Sequence, residues 1–142
     1  MKYCFALIAL CTLLFACNNG ATAEQTEDGP FREFAEFYER FHSDPDFQME
    51  RVLFPLPGLP AEADSALIAR GDYRWQREDW KVQQPIDLQN SGFEQEFIPV
   101  SKNLIIEKIV QREHRLQIER RFSRLEDGWT LIYYAGLNRV PE

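Results

Sequence analysis

"RRFSRLEDGWTLIYY", residues 120–134, decides the fold class of this 142-residue chain. Glu126, Asp127 and Gly128 supply a turn, and both flanks are rich in branched and aromatic residues, the composition of paired strands. The upstream flank reaches back through "HRLQIERRFSRL" (114–125) and the downstream flank continues through "WTLIYYAGL" (129–137). Before them, "GFEQEFIPV" (92–100) and "NLIIEKIVQ" (103–111) have the same character. The end of the chain therefore predicts an antiparallel meander.

Side chains alternate between faces along a strand, so Leu116, Ile118 and Phe122 share a face that also carries His114 and Arg120. The same parity groups Trp129, Leu131, Tyr133 and Leu137. An arginine and a histidine in the register of the core lie either at its open rim or inside it. Burying Arg120 unpaired would cost several kcal/mol. Two readings follow. Either Arg120 pairs with a glutamate such as Glu107 and His114 sits at a strand end in water, or Arg120 marks the place of an anionic or hydrogen-bonding ligand group. In the second reading His114, Arg120 and Tyr133 face one pocket near Trp75 and Trp80. A bulge at Arg120–Arg121 would exchange the two arginines.

Upstream, "PFREFAEFYERFHSD" (30–44) places Phe31, Phe34, Phe37, Tyr38 and Phe41 at helical spacings with charges opposite. Pro30 suits the first turn and "SDPD" (43–46) stops the helix. This amphipathic helix is predicted to pack its aromatic stripe on the sheet. "FQMERVLFPLPGLP" (47–60) reads as a strand running into a proline-punctuated loop, and "AEADSALIA" (61–69) as either a short helix or an irregular excursion. In "DYRWQREDWKVQ" (72–83) one tryptophan is predicted to end a strand and the other to open a short helix.

The chemistry-bearing residue types are sparse. With only His42 and His114, and with scattered carboxylates, no metal-ligand spacing appears, so no metal or other cofactor is expected. Neither histidine lies in a nucleophile motif, and no glycine-rich phosphate loop is present. The formal net charge of -7 without a basic block disfavours nucleic acid as a partner.

The beginning of the chain indicates where the protein resides. Lys2 precedes an almost entirely apolar run, Tyr3 to Ala16, too short to span a bilayer, and "NNGATAEQTEDG" (18–29) then turns polar. That is the layout of a secretory signal. "LFAC" (Leu14 to Cys17) resembles the bacterial lipobox, which implies cleavage before Cys17 and its lipidation. Cys4 and Cys11 would leave with the signal, no disulfide would form, and the lipid would hold the protein at a membrane. The expected division is a lipoprotein signal peptide over 1–16, a flexible tether over 17–29 and one domain over 30–142.

The order of an aromatic helix, "DPDFQMERVLFPL" (44–56), spaced tryptophans and the closing "RRFSRLEDGWTLIYY" resembles an uncharacterised lipoprotein family of Bacteroides-type bacteria, a domain of unknown function. The resemblance runs from Phe31 to Asn138, and its most specific pieces are "FQMERVLFPL" (47–56) and the hairpin residues Phe122, Asp127, Gly128 and Trp129. It implies an α+β fold of the NTF2-like superfamily, an N-terminal amphipathic helix packed on a curved antiparallel sheet to form a cone with a pocket. It also implies the cell envelope, at the outer membrane, with the periplasmic or surface side open. The family has no assigned activity; the chain itself is read as a non-catalytic ligand-binding or interaction module, with a small molecule or an envelope protein as its expected partner. The alternative is a small enzyme, since enzymes of that superfamily use Asp, His or Tyr in the cone; His114 and Tyr133 would take that part here.

Overall fold

The computed structural model describes residues 28–140. The signal segment, Cys17 and the tether up to residue 27 lie outside the described residues. No described helix is long and apolar enough to cross a membrane.

Helix α1 (Asp28–Ser43) turns its apolar stripe onto the sheet. Phe34, Phe37 and Phe41 are buried, and all three ring centroids lie 5.5–5.7 Å from that of Phe122 on the facing strand. Phe34 also meets the indole of Trp129 edge-on at 5.0 Å. With the fully buried Leu131, these rings form the centre of the core.

The segment after α1 differs from its predicted strand. Pro45–Glu50 is a helix, α2, because Asp44 ends α1 and also caps the next helix by accepting the Phe47 amide at 3.0 Å, with Pro45 in the first turn. The strand is confined to β1 (Leu56–Leu59). Asp64 and Gly71 cap a further short helix, α3 (Ser65–Arg70), so the region left open by its composition is helical. Trp75 ends β2 (Arg74–Trp75), as expected of one of the two tryptophans. Trp80 follows a 3-10 turn at Arg77–Asp79 and closes it, where the sequence placed a tryptophan at the start of a short helix.

The meander consists of β3 (Glu94–Ser101), β4 (Leu104–Gln111), β5 (Leu116–Leu125) and β6 (Gly128–Arg139). The sheet order is β2-β1-β6-β5-β4-β3. It is a mixed sheet and not antiparallel throughout, because β1 joins β6 in parallel through Gly58 and Leu59 opposite Tyr134 and Ala135. A side chain at Gly58 would collide with the Tyr134 carbonyl, so only glycine permits this approach.

β4 and β5 pair without interruption, so strand parity holds between them. Between β5 and β6 it fails: Arg121 lies opposite Tyr133, yet Phe122 lies opposite Leu131. Ile132 is the extra residue of a β-bulge, and from there on the inner residue is Tyr134. The predicted face of Trp129, Leu131 and Tyr133 is therefore broken after Leu131, and Tyr133 is on the opposite side of the sheet from Leu131.

Candidate functional site

Register places a polar row across the inner face of the sheet. Phe97 pairs with Glu107, Glu107 with Arg120, and Arg120 with Tyr134, on β3, β4, β5 and β6 in turn. Helix α1 adds Tyr38 and His42, one turn apart on the side facing β3. Arg120 is 2% exposed and Glu107 0%. Two charges so deeply buried persist only with close partners.

Those partners are present. Arg120 Nη1 donates to Glu107 Oε2 at 3.1 Å, and Nη2 to Gln83 Oε1 at 3.3 Å. The other carboxylate oxygen of Glu107 accepts from the Tyr38 hydroxyl at 2.5 Å and from Gln95 Nε2 at 2.7 Å. Gln95 Nε2 also lies 2.9 Å from the Tyr38 oxygen. The Glu107 pairing, one of the two readings of Arg120 from strand parity, is thus what occupies this arginine.

A second set of bonds holds Gln83 in place. The buried Gln48 amide of α2 donates to the carbonyls of Phe41 (2.7 Å) and Gln83 (3.0 Å). Its oxygen accepts from the Gln83 amide (2.6 Å) and the Trp80 indole (3.3 Å). All four bonding capacities of that amide are used, which fixes residues 80–83 over the end of the row. Trp80 stacks edge-on against Trp75 and Tyr134, at 6.0 and 5.3 Å.

Beside this network lies an apolar cavity of about 560 Å³ between α1, β3 and the segment at Pro85. Phe31, Phe34, Phe97, Pro85 and Ile105 form much of its wall, and the rings of Tyr38 and His42 close its polar side. Phe31 and Phe97 are among the exposed large hydrophobic residues. The volume is that of a small-molecule site.

Electrostatics make the polar side quiet. Burial, then the charge and hydrogen bond of Glu107, raise the Tyr38 hydroxyl far above the ordinary tyrosine value, with Arg120 opposing. Tyr134 is also raised, first by burial, with Arg120 again opposing. Burial lowers His42 below 6.5 against the pull of its bond to the Tyr38 carbonyl, and Arg120 lowers it further. At neutral pH the site thus presents a protonated phenol that donates a hydrogen bond to Glu107, and a neutral imidazole.

The residues singled out in the sequence are divided by the fold. Arg120, Trp80 and Trp75 belong to the inner cluster, with Trp75 reaching it through Trp80 and Tyr134. His114 does not. It is exposed in the turn between β4 and β5, because Arg112 to Arg115 form the connection and the strand starts only at Leu116. Tyr133 does not either, since the bulge at Ile132 turns it to the outer face, where Arg121 stacks on it at 4.3 Å. Tyr38, His42, Gln48, Gln83, Gln95 and Tyr134 were not singled out as site residues. The α1 stripe contained a signal for one of them, since Tyr38 is its only member with a polar atom, and His42 lies one turn beyond it.

No family model matches the chain, and no curated protein matches it. Among solved structures it is similar to an NTF2-like protein from Bacteroides fragilis, with a TM-score of 0.53 and 20% identity over 77% of this chain. The match covers 47% of that protein, so this chain spans about half its length. At that identity the likeness concerns the fold, and the fold is NTF2-like.

Proposed function

We propose that this protein is a lipid-anchored, non-catalytic binding module of the bacterial cell envelope, an NTF2-like cone that takes an apolar small molecule into the cavity between α1 and β3. The observation that carries the reading is the cavity itself, about 560 Å³ with mostly apolar walls, set against a polar network whose groups are bonded to one another. Acid–base work requires titratable groups free to exchange protons with a bound substrate. Tyr38, Glu107 and Arg120 are engaged with each other, His42 has its Nδ1 on the Tyr38 carbonyl and its Nε2 buried away from the cavity, and His114 and Tyr133 lie elsewhere. The envelope and the anchor rest on "LFAC" and the apolar run before it, with Cys17 as the attachment point and the outer membrane as the expected destination.

The test is titration of the purified protein with a neutral, environment-sensitive dye such as N-phenyl-1-naphthylamine. Saturable one-to-one binding, weakened when Ala35 is replaced by tryptophan to fill the cavity, is expected. Purely linear partitioning of the dye would end the binding reading. For the anchor, Cys17→Ser is expected to move the protein out of the membrane fraction. Unchanged retention, with a free Cys17 thiol in the wild type, would refute it.

A further inference from the structure

We propose that the cavity is a groove for one linear acyl chain with an uncharged, hydroxyl-bearing head, as in a glycerol monoester, lying along α1 with its head at Ser43 and its tail at Phe31. This rests on the binding-module reading above and names the ligand class of the same site.

The shape of the cavity carries the inference. Phe31, Ala35, Tyr38 and His42, spaced three or four residues apart, turn one face of α1 into its long wall, and Ser43 ends that wall. At 1.5 Å per residue the face from Phe31 to Ser43 is about 18 Å long. Phe97 of β3, Ile105 of β4 and Pro85 stand opposite. A volume of about 560 Å³ spread over that length leaves a channel about 6 Å across, one hydrocarbon chain wide at a carbon–carbon contact of about 4 Å. With bonds of about 1.5 Å a zigzag chain advances about 1.3 Å per carbon, so about 14 carbons fill the groove. Phe31 and Phe97, 47% and 40% exposed, hold apolar surface that such a chain would cover.

The polar atoms set the direction of the chain and the class of its head. Midway along the groove no group is free to bond a ligand. The Tyr38 hydroxyl donates to Glu107, and His42 has Nδ1 on the Tyr38 carbonyl and Nε2 buried away from the cavity. A molecule with polar groups along its length would leave them unpaired there. Glu39 and Ser43, both exposed, lie toward the C-terminal end of the helix face, whereas Phe31 and Phe34 occupy its N-terminal end. The groove is thus apolar at one end and polar at the other, which points the tail at Phe31. Among the described residues of the wall there is no lysine or arginine, and Glu39 together with the net charge of -7 opposes a carboxylate or phosphate head. A hydroxyl head instead donates to the Glu39 carboxylate.

The experiment is displacement of bound N-phenyl-1-naphthylamine at pH 7.5 by saturated 1-monoacylglycerols of increasing chain length, each below its aggregation threshold. Affinity should rise about 4-fold per added methylene and level off near about 14 carbons. Ala35 is exposed and about 12 Å from Ser43 along the helix. Ala35→Trp should therefore move the levelling point to about 9 carbons. Laurate should compete at least about 10-fold more weakly than its glycerol monoester. The lipidated protein and the Cys17→Ser variant should give the same series. An affinity indifferent to chain length, one that keeps rising well past 14 carbons, or a levelling point unmoved by Ala35→Trp would overturn the linear chain and leave the cavity as a binding site. Laurate competing as well as its ester would overturn the uncharged head. Binding by Cys17→Ser alone would place the protein's own acyl chain in the groove and overturn a free lipid as its occupant. Absence of dye binding would instead end the binding-module reading itself.

Discussion

The two faces of the sheet carry the same three residue types under different conditions. On the inner face Glu107, Arg120 and Tyr134 stand in a row beneath α1; on the outer face Glu119, Arg121 and Tyr133 form a similar cluster. Arg121 bonds Glu119 at 2.7 Å, shorter than the 3.1 Å of the inner pair, yet its side chain is 43% exposed. Distance therefore does not rank the two clusters. The outer one is partly open to solvent, with Gln117 donating to the second Glu119 oxygen at 3.2 Å, whereas the buried inner one depends on Tyr38, Gln95 and Gln83. Burial converts an optional ion pair into an obligatory one.

The comparison is broken most directly at Arg120. Arg120→Met leaves the Glu107 carboxylate buried without its cation, and Glu107→Gln leaves the guanidinium alone. Each is expected to lower unfolding stability by about 3–5 kcal/mol. Arg120→Met/Glu107→Met should recover most of that loss, because no unpaired charge remains. Denaturant titration decides the matter, and a single-variant loss as small as that of an exposed arginine would remove the distinction between the faces.

Of similar size is the effect of the helix that makes the inner face an interior. Phe37 is buried against Phe41, Phe47 and Phe122, so Phe37→Ala is expected to cost about 3–5 kcal/mol through lost contact and the cavity left behind. Ile68, beside the outer cluster and 45% exposed, is the control: Ile68→Ala should cost well under half as much. Equal losses in thermal or denaturant unfolding would show that α1 is not docked as described.

What the sequence disclosed and what it concealed follow the same division. The hairpin was legible because its composition and the Glu126–Gly128 turn agree, and the Glu107–Arg120 pairing because β4 and β5 keep regular register. Tyr133 was misplaced because one extra residue, Ile132, inverts a period of two and leaves no mark in composition. Helix α2 was hidden because Asp44-Pro45 reads equally well as the end of one helix and the cap of the next. Gln83 lies in a connection without periodicity, and only the tertiary bonds of Gln48 bring it to Arg120. His114 was assigned by extending a strand two residues too far.

Acid tests the inner face more gently. His42 is buried, and its pKa is lowered below 6.5, so the unfolded chain binds a proton more readily than the folded one. Stability is therefore retained above about pH 6.5 and falls as the pH drops from there through the lower value of the folded state. His42→Phe should flatten that part of the stability profile. An unchanged slope in the His42→Phe variant would assign the pH response to another group.

The smallest effect is expected at Arg121. Its ion pair with Glu119 is partly solvated, and exposed pairs contribute about 0–1 kcal/mol, since water takes over the lost bonds and the freed side chains regain entropy. The stacking on Tyr133 at 4.3 Å adds about 0.5–1 kcal/mol at an exposed site. Arg121→Ala should therefore lower stability by no more than about 1–2 kcal/mol, and part of that loss should vanish in high salt, which screens the pair already in the wild type. Arg120→Met should show little such salt dependence, because its pair is shielded from ions. If the two variants responded to salt alike, the inner pair would be far more solvated than its 2% and 0% side-chain exposures imply.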